Sequence, residues 1–145
     1  MKRHLDLQSL SRDHHQALVV ARRLKHVNDE DAVAARAAFL EFWRRHGQLH
    51  FRVEEEVLLP GFASAGGAED PGVARVLHEH AEVRLRALQL QGRRASVQRQ
   101  RELGEMLAAH VRFEEGDLFP AIEAALSPEQ LRGMASALAT AERDS

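Results

Sequence analysis

A six-residue pattern occurs twice in this chain, sixty residues apart. His50-Phe51-Arg52-Val53-Glu54-Glu55 leads on to Pro60, and His110-Val111-Arg112-Phe113-Glu114-Glu115 leads on to Pro120. The histidine, the arginine, both glutamates and the proline recur in register. A second echo stands upstream of each copy: Asp13-His14 before the first, Glu79-His80 before the second. The repeated unit is therefore one histidine, a gap, then His-x-x-x-Glu. Two units supply four imidazoles and two carboxylates, a set that suits a buried pair of transition-metal ions.

The surrounding sequence favours helix. Alanine, leucine, arginine and glutamate dominate and β-branched runs are absent. A first helix is expected over about 9–27, with Ser9 or Ser11 as N-cap, and Asn28-Asp29-Glu30-Asp31 reads as a turn. A long second helix is expected from about 32 to 59, stopped by Pro60-Gly61, with 60–70 as the longest loop and Gly66-Gly67 as its flexible part. Asp70-Pro71 supplies an N-cap and first-turn proline for a third helix to about 90, closed by Gly92. A fourth helix covers about 95–125, bent or ended near Pro120, and Ser127-Pro128-Glu129-Gln130 opens a short fifth. The fold class expected is all-α: an up-down-up-down antiparallel four-helix bundle with a short extra C-terminal helix. One domain should span 1–145, its core bundle at about 9–125 and its last helix at about 127–142.

Helical spacing points the histidines inward. Leu7, Leu10, His14, Ala17, Ala21 and Leu24 trace one stripe, and Val73, Val76, His80, Val83, Ala87 and Leu90 another. His15 lies off the first stripe. His78 also has apolar neighbours at helical spacing, and the repeat, not the periodicity, selects His80. His50 with Glu54, and His110 with Glu114, are four residues apart and share a helix face. In the second hairpin His80 and His110 fall at nearly equal distances from the 92–95 turn. The first hairpin fits less neatly, with His14 13 residues before Val27 and His50 19 after Asp31. Trp43, Phe39 and Phe42 are expected to pack beneath the site.

A lone histidine on an apolar face is more often a satisfied core residue, and a lone His-x-x-x-Glu arises by chance. Two copies, each with an upstream inward-facing histidine, are harder to explain that way. Four partly desolvated imidazoles and two carboxylates in one core are costly without a cation.

Composition removes other chemistries. Cysteine is absent, so disulfides, thiolate metal sites and cysteine nucleophiles are excluded, and a reducing compartment fits. Tyrosine is absent, which removes tyrosyl and tyrosinate chemistry. A net charge of −2 gives no strong pull toward nucleic acid or anionic lipid. The first residues lack the apolar run of a signal peptide, and no apolar stretch reaches the ~20 residues of a membrane span. The expectation is a cytoplasmic protein without nucleic-acid or membrane partners.

The order His … His-x-x-x-Glu … His … His-x-x-x-Glu over about 9–125 resembles the hemerythrin-like family, whose cation-binding domain is named for its His-His-Glu repeat. The resemblance implies a bundle enclosing two oxo- or hydroxo-bridged iron ions. It implies His14, His50, Glu54, His80, His110 and Glu114 as ligands, with Glu54 and Glu114 bridging. Thiolate-free ligands suit Fe, Mn, Zn or Co, so iron is the family's implication and Zn or Mn the alternatives. The oxygen-carrying members have a further histidine four residues from the first on helix 3; here Val76 and Arg84 flank His80 at that spacing. Those members also end in His-x-x-x-x-Asp. The six ligands with one bridging oxygen leave about two positions of two six-coordinate ions for water, dioxygen, peroxide or a seventh side chain. His46, Glu55 and Glu115 are candidates for the last; otherwise His46 is a boundary residue and the glutamates are solvated or paired with arginine. The resemblance implies binding of dioxygen, peroxide or a related small molecule, as sensor, store or scavenger. A peroxidase- or catalase-like enzyme with Glu55 or His46 as proton shuttle, and a metal-stabilised interaction module, are the alternatives.

Overall fold

The computed structural model describes residues 3–92 and 96–144, and among these every regular element is helical. A single 3-10 turn, Leu5–Leu7, leads into α1 (Gln8–Lys25). The long α2 spans 32–67, α3 is Pro71–Gly92, α4 spans 97–125 and α5 is Pro128–Arg143. None is long and apolar enough to cross a membrane among the described residues.

Several ends follow the sequence. Asp70 Oδ1 accepts from the Gly72 amide, Ser96 Oγ caps α4 through the Arg99 amide, and Ser127 with Gln130 forms a reciprocal capping box. The turn at Asn28 is closed by its own side chain, which accepts from the amides of Glu30 and Asp31. Other ends differ from expectation. Neither Ser9 nor Ser11 caps α1; His4 Nδ1 caps the 3-10 turn through the Asp6 amide, and the Ser11 hydroxyl is used elsewhere. Arg93, Arg94 and Ala95, expected in the third turn and the start of helix 4, lie outside the described residues.

The largest correction concerns Pro60. The chain does not leave the helix there, and 60–70 is not a loop: α2 continues until Gly66, at φ 104, breaks its last turn. A π turn explains the tolerance. Glu54–Leu58 is wound so that the Leu59 amide reaches the Glu54 carbonyl, five residues back. The same π turn, Glu114–Leu118, precedes Pro120, and α4 runs on to Ala125. Proline in a regular helix collides with the carbonyl four residues earlier; one wider turn just before it relieves that conflict. Both π turns begin at the first of the repeat's two adjacent glutamates. Two more, Trp43–Gly47 and Ala63–Gly67, lie within α2.

Three helix pairs make their contacts in antiparallel order. Along α1 and α4, Arg3 meets Glu123, Ser11 meets Glu115, and Arg101 reaches the Val27 carbonyl. Along α3 and α4, Glu79 meets His110 and Arg86 meets Glu102. Along α2 and α3, Arg36 reaches the Leu90 carbonyl and Glu55 meets His80. α1 and α4 approach most closely, because Gly104 has no side chain: a Cβ there would fall 2.6 Å from the Ala21 carbonyl oxygen and 2.7 Å from the Lys25 nitrogen.

Two apolar layers fill the interior. One holds Leu24, Val27, Phe39, Trp43, Phe51, Leu90 and Leu103. The other holds Leu7, Leu10, Leu58, Phe62, Phe119 and Ile122, and α5 packs against it through Leu131, Met134 and Leu138. Between the layers lies a belt of buried polar groups: His14, His50, Glu54, His80, His110 and Glu114.

Candidate metal centre

Each helix from α1 to α4 delivers its part of the belt from a core-facing stripe. His14 replaces an apolar residue between Leu10 and Ala17, and His80 one between Val76 and Val83. α2 and α4 contribute His50 with Glu54 and His110 with Glu114, one turn apart. His15, His46 and His78 lie exposed outside the belt.

The six side chains form two groups that share both carboxylates: His14, His50, Glu54 and Glu114, and Glu54, His80, His110 and Glu114. Glu54 Oε2 is 3.1 Å from His50 Nε2, while its Oε1 is 3.0 Å from His80 Nε2. Glu114 Oε1 is 2.8 Å from His14 Nε2 and 3.4 Å from His110 Nε2. Ligands about 2.1 Å from one ion and at right angles to each other lie about 3 Å apart, so this spacing suits shared coordination.

Hydrogen-bond satisfaction gives an independent test of fit. Both oxygens of Glu54, Oε2 of Glu114 and the Nε2 atoms of His80 and His110 are buried without an aligned hydrogen-bond partner. Close approach without alignment is what donors do when their lone pairs point at a common centre. Buried polar atoms are otherwise almost always paired. A nitrogen and oxygen donor set without sulfur matches borderline and hard transition-metal ions.

The opposite edge of every ring is also engaged. His14 Nδ1 meets Glu115 at 2.7 Å, His50 Nδ1 meets Asp13 at 3.1 Å, His80 Nδ1 meets Glu55 at 2.7 Å, and His110 Nδ1 meets Glu79 at 2.8 Å. Donating Nδ1–H to a carboxylate fixes the tautomer and leaves Nε2 free to bind a cation. The acid before each upstream histidine serves the other histidine of its own hairpin. The acid after each inner glutamate serves the upstream histidine of the opposite hairpin.

Sequence reasoning assigned no role to Asp13 or Glu79, although their recurrence beside His14 and His80 was visible. It offered Glu55 and Glu115 as a seventh ligand or as solvated or arginine-paired residues. They occupy a middle position, behind the histidines, and Glu55 is indeed gripped by Arg84 through both guanidinium nitrogens at 2.8 and 2.9 Å.

The charges are mutually adjusted. Burial drives the His110 ring down, but Glu114 and Glu79 outweigh it and hold it up at about 10. Burial likewise opposes charge on His14 and His50, yet Glu114 and Glu115 raise the first, and Glu54 and Asp13 raise the second well above its ordinary value. Glu54 is buried, which alone would raise it; His50 and His80 bring it well below the usual carboxylate range. Aromatic walls close the site. Phe51 stacks on His80 at 3.7 Å and 7°, and Phe119 on His14 at 5.2 Å and 20°.

An all-helical fold holding two buried groups that share carboxylates defines a cation-binding helical protein. The chain matches the hemerythrin HHE cation binding domain over residues 5–122 and belongs to that family. No curated protein and no solved structure matches it significantly.

Proposed function

We propose that His14, His50, Glu54, His80, His110 and Glu114 hold two transition-metal ions, with Glu54 and Glu114 shared between them. The ions are iron on the family's precedent, with zinc or manganese able to use the same donors. The helices then form an up-down-up-down bundle in a single domain, and its role is to bind dioxygen, peroxide or a related small molecule as sensor, store or scavenger. A cytosolic setting accords with the cysteine-free composition.

One observation carries this reading: five buried polar atoms of the belt lack aligned hydrogen bonds. A pair of redox-active ions, when bound, supplies electrons to an oxygen-type ligand. The chain's own part is to hold that pair dry and oriented. Asp13, Glu55, Glu79 and Glu115 keep each Nδ1 protonated and each Nε2 available. Phe51 and Phe119 keep bulk water from the rings of His80 and His14. Nothing favours a proton shuttle at His46, which is exposed, or at Glu55, which is committed to His80 and Arg84.

Anaerobic loading with Fe(II), followed by air, tests the proposal. Two irons per chain and near-ultraviolet bands from a bridged ferric pair are expected. A colourless protein with less than one iron per chain would overturn it.

A further inference from the structure

We infer that metal ions enter and leave the centre through a cleft of about 240 Å³ beside His50, between α1, α2 and the end of α5. The inference rests on the two-ion reading and deepens it. The six candidate ligands are between 0 and 6% exposed, so an ion needs an opening to reach them. His50 is the most exposed of the six, and it lines this cleft together with Ser9, Arg12, Asp13, His46 and Glu142.

The four corners of the centre are unequally secured. Glu55 is held by Arg84, and Glu79 by Arg75, which also lies 3.9 Å over the Phe113 ring. Glu115 is held by the Ser11 hydroxyl at 2.8 Å and by Arg3 on its main-chain oxygen at 2.5 Å. Among the described residues Asp13 has His50 alone as its partner, at 3.1 Å, the longest of the four contacts. Opening this corner breaks one hydrogen bond and displaces no arginine. Asp13, His46 and Glu142 give the cleft's lining two carboxylates and an imidazole, donors for a divalent cation. Of the two arginines that line the cleft, Arg45 is tied to Glu41, and Arg12 is the other cation of the lining.

Filling the cleft from two different helices tests the route. Co(II) alone is the probe: uptake is followed by stopped-flow absorption and release by transfer to EDTA. In Ser9→Trp and Glu142→Trp, uptake and release should both slow by on the order of tenfold while their ratio, the equilibrium affinity, stays constant. Leu88→Trp, in the α2–α3 groove that no candidate ligand lines, should change neither rate. Unchanged rates in both cleft variants, equal slowing in Leu88→Trp, or a change in affinity with only one rate altered would overturn the route. A wild-type chain that takes up no Co(II) would overturn the two-ion reading as well. Melting temperatures near that of wild type establish that the variants fold.

Discussion

The two hairpins treat their histidines alike in charge and differently in packing. Each ring finds a carboxylate on its Nδ1 edge from an equivalent position of the repeat: Asp13 or Glu79 for the inner histidine, Glu115 or Glu55 for the upstream one. The aromatic covers obey no such rule. Phe51 lies on His80, but its repeat partner is Val111; Phe119 lies on His14, but its repeat partner is Leu59. The clamps differ too, with Arg84 reaching Glu55 from one turn beyond His80 and Arg3 reaching Glu115 from the start of the chain. The difference teaches that the two copies agree in the polar residues of the belt and its outer carboxylates, and also at Arg52 and Arg112 and at Pro60 and Pro120. They differ where many apolar side chains can fill a space equally well.

Removing a shared carboxylate should erase the distinction between hairpins. Glu54→Ala and Glu114→Ala should each abolish binding of both ions, a loss beyond the roughly 10–100-fold expected from an outer carboxylate. Titration with Co(II) checks it; one ion retained at wild-type affinity in either variant would break the symmetry of the shared positions.

The aromatic covers come next. Phe51→Ala removes a stack on His80 and an edge contact with Trp43 at 5.2 Å, and should cost about 3–5 kcal/mol in denaturant unfolding. Val111→Ala, at its repeat partner, removes far less volume and should cost about 1–2 kcal/mol. Equal costs would show that packing follows the repeat after all. At the α1–α4 contact, Gly104→Ala drives a methyl into the Ala21 carbonyl and should destabilise by about 1–3 kcal/mol.

Outer carboxylates separate the hairpins more finely. Glu79→Gln should weaken metal binding within the ~10–100-fold range, and Asp13→Asn should sit at its low end. Asp13 is more exposed than Glu79, 31% against 20%, and its contact is longer. The reverse order would place the firmer corner at Asp13.

A last contrast is in pH. In the metal-free chain, Glu55, Glu79 and Glu115 are lowered from 4.5, so their stabilisation is present above that value and is lost as pH falls through the lowered values. His14, His50 and His110 are raised from 6.5, so theirs is present below 6.5 and is lost as pH rises, for His110 through about 10. Melting temperature should therefore be highest between the two reference values. Metal loading should remove the alkaline loss, because ions then replace the protons.

Much of the site was legible because its demands are written in residue type and spacing. The six inward side chains could be picked from the repeat and from two helical stripes, and all six are buried together. Asp13 and Glu79 were equally repeated, but a carboxylate beside a histidine looks like any solvated acid until the facing helix is known. Pro60 misled because a stop signal assumes regular helical winding, and one π turn at Glu54 removes the collision. The stacking of Phe51 on His80 depends on the angle between α2 and α3, which spacing along either helix does not encode.

An anomalous difference map from a crystal of the Fe(II)-loaded protein, collected at the iron edge, tests the central claim most directly. Two peaks are expected, one within reach of His14 and His50 and one within reach of His80 and His110, with Glu54 and Glu114 touching both. A single peak, or density outside the belt, would contradict the account.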